Sequence, residues 1–177
     1  MINFWFICIP GNSNCYDAGS KLELNWDYLT PSGNDRHLDT VSLHIFEKIS
    51  ETKNRSVYRG ITITRLQGDI AFEQPTRNSS AVGIGPVYMI GNERNLSGKL
   101  SVALDMSGGF IVYDKIFPDG GKKFNFMWRI GPRLIYKIDK NSSVNIGYML
   151  MHVSNGFKSH NPSYDAHGVS LGFVTNF

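Results

Sequence analysis

His152, Ser154 and Asp165 are the side chains of this sequence best suited to acyl-transfer chemistry. In the run His152-Val153-Ser154-Asn155 the histidine and serine are separated by one residue. On an extended chain that spacing puts both side chains on one face, roughly 6–7 Å apart along the strand. A serine hydroxyl is a weak nucleophile until a base takes its proton, and imidazole is the usual base. If the chain turns back around Phe157–Asn161, Asp165 comes to lie beside His152 at a cross-strand distance of about 5 Å. Ser154 would then attack an ester carbonyl, His152 would take its proton, and Asp165 would orient and charge-stabilise the ring. The side chain of Asn155 or nearby backbone N–H groups, with Gly156 beside it, could stabilise the oxyanion, a role worth about 3–4 kcal/mol in related chemistry.

The elements that must position these residues are strands. His152 and Ser154 share parity with Val144, Ile146, Tyr148 and Leu150, so they end an apolar stripe. Asp165 shares parity with His167, Val169, Leu171 and Phe173. The same period of two runs through Leu22, Leu24, Trp26 and Tyr28, through Leu100 to Met106, and through Phe124 to Ile130. Eight strands are predicted: Lys21–Thr30, Thr40–Ile49, Arg55–Leu66, Ala81–Gly91, Gly98–Tyr113, Lys122–Ile138, Ser143–Ser154 and Tyr164–Asn176. The best helical candidate, Leu43–Ile49, is too short to stand. Gly85-Pro86 and Gly131-Pro132 fall inside predicted strands, where the missing donor calls for bulges or local kinks.

Connections alternate in length, with longer polar loops near Pro31–Asp39, Gln67–Ser80, Asp114–Gly121 and Asn155–Ser163. Shorter turns lie near Ser50–Asn54, Asn92–Ser97 and Asp139–Ser142. That order fits an all-β, eight-stranded, antiparallel up-and-down transmembrane barrel. Mean hydropathy of -0.21 does not oppose it, because alternating strands dilute their apolar residues with polar ones. The intervening face carries Glu23, Asn25, Asp27, Lys99, Asp105, Lys123, Asn125 and Arg129, which suits a polar lumen with lipid outside. A terminal Phe177, on the parity of Phe173 and Leu171, resembles the signal read by the barrel assembly machinery.

Composition narrows the alternatives. The 177 residues make one domain of ordinary size, and a net charge of +3 is too mild for a nucleic-acid binder. Aromatics at 12% argue against disorder. No apolar run approaches the length of a spanning helix. His37, His44, His160 and His167 do not pair with cysteines or carboxylates at metal-ligand spacing, so no metal or cofactor is expected. Residues 21–177 read as a single barrel domain. Residues 1–20 read as an N-terminal segment with apolar Phe4 to Ile9 but no preceding Lys or Arg, either the remnant of a signal or a misassigned start. Cys8 and Cys15 lie in it without an assigned role.

The string His152-Val153-Ser154-Asn155-Gly156, then Asn161-Pro162, then Asp165, resembles the lipid A 3-O-deacylase family, also called acyloxyacyl hydrolases. The resemblance is sharp over Tyr148–Phe177 and architectural over Leu22–Ile138. It implies an eight-stranded outer-membrane barrel with a Ser-His-Glu triad on its lipid-facing wall. By residue type the family's histidine, serine and neighbouring asparagine fall on His152, Ser154 and Asn155. The family's acid is usually Glu, whereas the matching position here holds Asp165, one methylene shorter. The implied substrate is lipopolysaccharide in the outer leaflet, and the implied localisation is the outer membrane. A homodimer is left open.

Two other readings use the same pattern. A non-enzymatic outer-membrane barrel, serving adhesion or envelope integrity, would carry these polar residues as an interfacial rim. A soluble lipocalin-like binder would turn the apolar face inward.

Overall fold

The computed structural model describes residues 21–33, 36–70, 77–155 and 162–176. Eight long strands run β1 (Lys21–Pro31), β2 (Arg36–Glu51), β3 (Arg55–Ile70), β4 (Ala81–Ser97), β5 (Leu100–Phe117), β6 (Lys122–Lys137), β7 (Ser142–Ser154) and β8 (Ser163–Asn176). A two-residue strand, Arg77–Asn78, adds to the outer end of β3. Each long strand pairs antiparallel with its sequence neighbour, and β1 pairs with β8 from Lys21↔Asn176 to Pro31↔Ala166. The sheet therefore closes on itself and keeps no long free edge.

Closure sorts the alternating side chains. Trp26, Ile61, Met106, Phe126, Trp128, Ile146, Tyr148 and Phe173 point outward and are exposed. Apolar surface continuous around a barrel is far larger than water tolerates, and it is what a bilayer requires. The lumen is divided along its length. In the middle and lower part, Arg133 pairs with Glu23 and, at 2.8 Å, with Asp105, while Arg129 pairs with Asp27. Toward the site end, Leu29, Leu38, Leu66, Ile111, Tyr113, Phe117 and Tyr164 fill the space and are fully or almost fully buried. Charges inside and apolar residues outside remove the lipocalin-like alternative.

Several expectations need correction. Lys99 and Lys123 are exposed rather than luminal. Lys99 lies in the β4–β5 turn and Lys123 at the start of β6, where a long side chain reaches water and hydrogen-bonds the Ile138 and Asp114 carbonyls, respectively. The strands also outrun the hydropathy pattern: β2 begins at Arg36, β3 reaches Ile70, β5 reaches Phe117, and Asn92–Ser97 belongs to β4. Hydropathy stops alternating where the bilayer ends, but ladder hydrogen bonds do not.

The Gly-Pro pairs produce no bulge. Pairing with β5 lapses between Ile84↔Val112 and Val87↔Gly109 and resumes in the same register. The β6–β7 ladder lapses likewise between Ile130↔Leu150 and Arg133↔Gly147. In each case the other neighbour stays paired through the proline, as in Ile61↔Pro86 and Leu104↔Pro132. A Cβ on Gly85 would overlap the Phe110 carbonyl, and one on Gly131 the Tyr148 carbonyl. Glycine permits this close approach.

Candidate active site

The β7–β8 hairpin sets the site by register alone. His152 and Asp165 are direct cross-strand partners, as are Ser154 and Ser163. β7 alternates so that Met149, Met151 and Val153 fill the lumen. His152 and Ser154 therefore stand on the outer wall with Ile146, Tyr148 and Leu150. The His152 Nδ1 lies 2.7 Å from Asp165 Oδ1, with the two side chains 25% and 51% exposed. An ionised carboxylate can only accept, so Nδ1–H donates and Nε2 keeps its lone pair. That nitrogen is the one a serine hydroxyl needs as base. Ser154 is the last residue of β7 and Asp165 the third of β8, which places the group at the rim of the wall.

A second support was not anticipated. Trp128 is the β6 partner of His152, and the two rings stack with centroids 5.5 Å apart at 25°. The imidazole is thus held on one side by a carboxylate and on the other by an indole face. Folding β6 and β7 about the short Asp139–Ser142 turn would have revealed this neighbour, since residues equidistant from a turn pair across it.

The remaining predicted site residues divide. Asn155 is buried and continues the inward parity of Val153. Gly156 and Asn161 lie outside the described residues, as do Cys8, Cys15 and Phe177. His167, two residues below Asp165 on the outer face, accepts or donates a 2.6 Å hydrogen bond with Tyr148 Oη at its Nδ1. Among the described residues no group of three or more His, Cys, Asp or Glu side chains could hold a metal ion.

The lumen holds another set of the same chemical types. His44 lies 2.7 Å from Thr62 Oγ1 through Nδ1 and 3.1 Å from Asp27 Oδ2 through Nε2. His44 and Asp27 have no exposed side-chain surface, and Arg129 also pairs with Asp27. No ester can reach a hydroxyl enclosed in this way. His152 and Asp165 stand on the outer wall and are accessible, so an ester outside the barrel can reach them.

The family model for PagL, lipid A 3-O-deacylase, matches residues 60–174. The chain belongs to that family. It is an outer-membrane ester hydrolase of lipid A, and its match begins far upstream of the sharp sequence resemblance at Tyr148. The crystal structure of the outer membrane enzyme PagL superposes with a TM-score of 0.57 at 16% identity, covering 89% of this chain and 99% of that one. The crystal structure of Neisserial surface protein A gives 0.60 at 12% identity, covering 90% and 98%. At such identities both likenesses are of fold. Comparison with curated proteins finds no match.

Proposed function

We propose that Ser154, His152 and Asp165 form the catalytic triad of this deacylase and release the acyl chain ester-linked at the 3-position of lipid A. The observation that carries the reading is the 2.7 Å His152–Asp165 bond on the outward, accessible face of the wall. Ser154 Oγ attacks the ester carbonyl while His152 Nε2 takes its proton. The resulting tetrahedral oxyanion collapses, expelling the sugar alkoxide, which takes the proton back from His152. Water, deprotonated by the same nitrogen, then hydrolyses the acyl-enzyme to a free fatty acid and regenerates Ser154. Asp165 holds the ring in the required tautomer and stabilises its charged form; Trp128 holds its plane.

The oxyanion is assigned to the backbone N–H groups of Asn155 and Gly156, since the Asn155 side chain is buried. The filled lumen supports lateral entry of substrate from the outer leaflet. Assembly through the barrel assembly machinery completes the reading. The test is mass spectrometry of lipid A incubated with refolded protein. Wild type should shorten lipid A by one acyl chain, and Ser154→Ala, folded as judged by heat-modifiable migration in SDS gels, should not. Equal release by both would remove Ser154 from the mechanism.

A further inference from the structure

Ser154 ends its strand between two unlike neighbours. On the β6 side its register partner is Phe126, and on the β8 side it is Ser163. Direct partners on an antiparallel ladder hold their Cβ atoms about 4.5–5.5 Å apart on one face. The nucleophile assigned above therefore has an apolar ring on one flank and a second hydroxyl on the other. The next outward rung below it is the His152–Asp165 pair. Ser163 shares the outward parity of Asp165 and is partly exposed.

Ser163 is also mounted on a constrained piece of backbone. Tyr164, the next residue, turns into the lumen and is fully buried. Its Oη donates to the Leu38 carbonyl at 2.6 Å and lies 2.9 Å from Thr40 Oγ1. Its ring meets that of Phe117 edge-on, with centroids 5.6 Å apart. The Asp165 carbonyl accepts from the Ser32 N–H at 2.9 Å, which ties the start of β8 to the chain just after β1. A donor fixed in this way stabilises charge developing in a transition state, because it need not reorganise to meet it.

Attack by Ser154 on an ester turns the carbonyl oxygen into an anion, one bond beyond the carbon that Oγ has joined. That oxygen needs donors. The Asn155 side chain is buried, and Phe126 has no donor to give. Ser163 is the hydroxyl directly beside Ser154. We infer that Ser163 is a further catalytic residue, whose Oγ–H donates to the oxyanion alongside the backbone N–H groups of Asn155 and Gly156. Ser163 keeps its proton throughout; the proton transferred is the one His152 takes from Ser154. The inference rests on the deacylase reading, with Ser154 as the attacking group.

The test follows fatty-acid release from lipid A by the refolded full-length protein in micelles, over a range of lipid concentrations. Ser163→Ala should lower kcat about 10- to 100-fold, less than an enclosed oxyanion donor is worth because the rim admits water. KM should move by less than about twofold, since the interaction is made only in the transition state. Ser163→Thr returns a hydroxyl and should recover kcat to within about threefold of wild type. If Ser163→Ala gives no heat-modifiable barrel, Ser163→Cys replaces it, keeping the shape with a much weaker donor. Wild-type kcat in the Ala or Cys variant overturns the inference. So does a Thr variant as slow as the Ala variant, or a loss that lies in KM alone. A long-chain fluorophosphonate, which bonds to the attacking serine and expels fluoride, should label Ser154 in wild type. A label on Ser163 makes that residue the nucleophile and overturns its role as donor. Wild type that neither releases acid nor takes the label defeats the deacylase reading itself, and the inference with it.

Discussion

Asp165→Ala tests the least familiar member of the proposed triad, and the structure sets the size of its effect. The carboxylate supplies an orienting hydrogen bond of 2.7 Å and a negative charge next to a ring that becomes cationic in the transition state. At a charge separation of about 4 Å the attraction is ~1 kcal/mol if water screens it fully and ~4 kcal/mol at the dielectric of a protein surface. Asp165 is half exposed at a membrane rim, so the loss lies between these limits, about 5- to 1000-fold in kcat. Orientation falls less than it would for an unsupported ring, because Trp128 still stacks on His152. Asp165→Glu should stay within about tenfold of wild type, or exceed it, since the acid points outward with room for one more methylene. The assay is single-turnover release of fatty acid from lipid A, normalised to folded barrel by SDS-gel band shift. Full activity in Asp165→Ala would refute the reasoning, as would a Glu variant as inactive as the Ala variant.

His152→Ala should lose as much as Ser154→Ala, and the double variant no more than either, because base and nucleophile act as a unit; additive losses in the same release assay would contradict this. Arg133→Met leaves Glu23 and Asp105 buried without their shared cation, so the barrel should lose about 3–5 kcal/mol in urea unfolding from micelles, measured by tryptophan fluorescence. Gly131→Val should fail to give a heat-modifiable barrel, because its side chain overlaps the Tyr148 carbonyl, whereas Gly108→Ala should fold normally, its Cβ meeting nothing closer than 3.8 Å. Spin labels at Ile146 and Phe173 should be shielded from aqueous quenchers in vesicles, and a label at Lys140, in the β6–β7 turn, should not.

The strands were legible because a barrel in lipid imposes a strict period of two with opposite polarities on its faces. Parity alone put His152, Ser154 and Asp165 on one surface, and pairing of the two strands across the Asn155–Ser163 loop then made His152 and Asp165 partners. Strand ends were not legible, since Arg36–Asp39 and Asn92–Ser97 leave the bilayer while still in the ladder. Neither was the effect of Gly85-Pro86 and Gly131-Pro132, because whether a missing donor forces a bulge depends on the neighbouring strand's backbone. That strand instead moves close over glycine, and register survives. Trp128 was legible as lipid-facing but not as the support of His152, a relation that needs the register of two hairpins at once. Tyr148 and His167 show the same limit: parity puts Tyr148 in the apolar stripe and His167 on the face of Asp165, and only the register of β7 and β8 brings their polar tips together.

Proximity of hydroxyl, imidazole and carboxylate does not by itself identify a catalytic centre in this fold. Thr62, His44 and Asp27 lie in hydrogen-bonded order within the lumen, more completely connected than the residues on the outer wall. Their work is structural, because Asp27 must also balance Arg129 and every atom around them is enclosed. A closed barrel has only two surfaces, and the packed side chains from Leu29 to Tyr164 deny the inner one to a lipid. Chemistry on an acyl ester must then be carried by the outer surface, near the depth at which the ester lies. Polar side chains are costly there unless they are paired, which is why the outer wall's acid and base occur as a directly opposed strand pair. In the proposed triad the loose member is Ser154, at the last position of its strand, where its hydroxyl is held by no cross-strand acid or base.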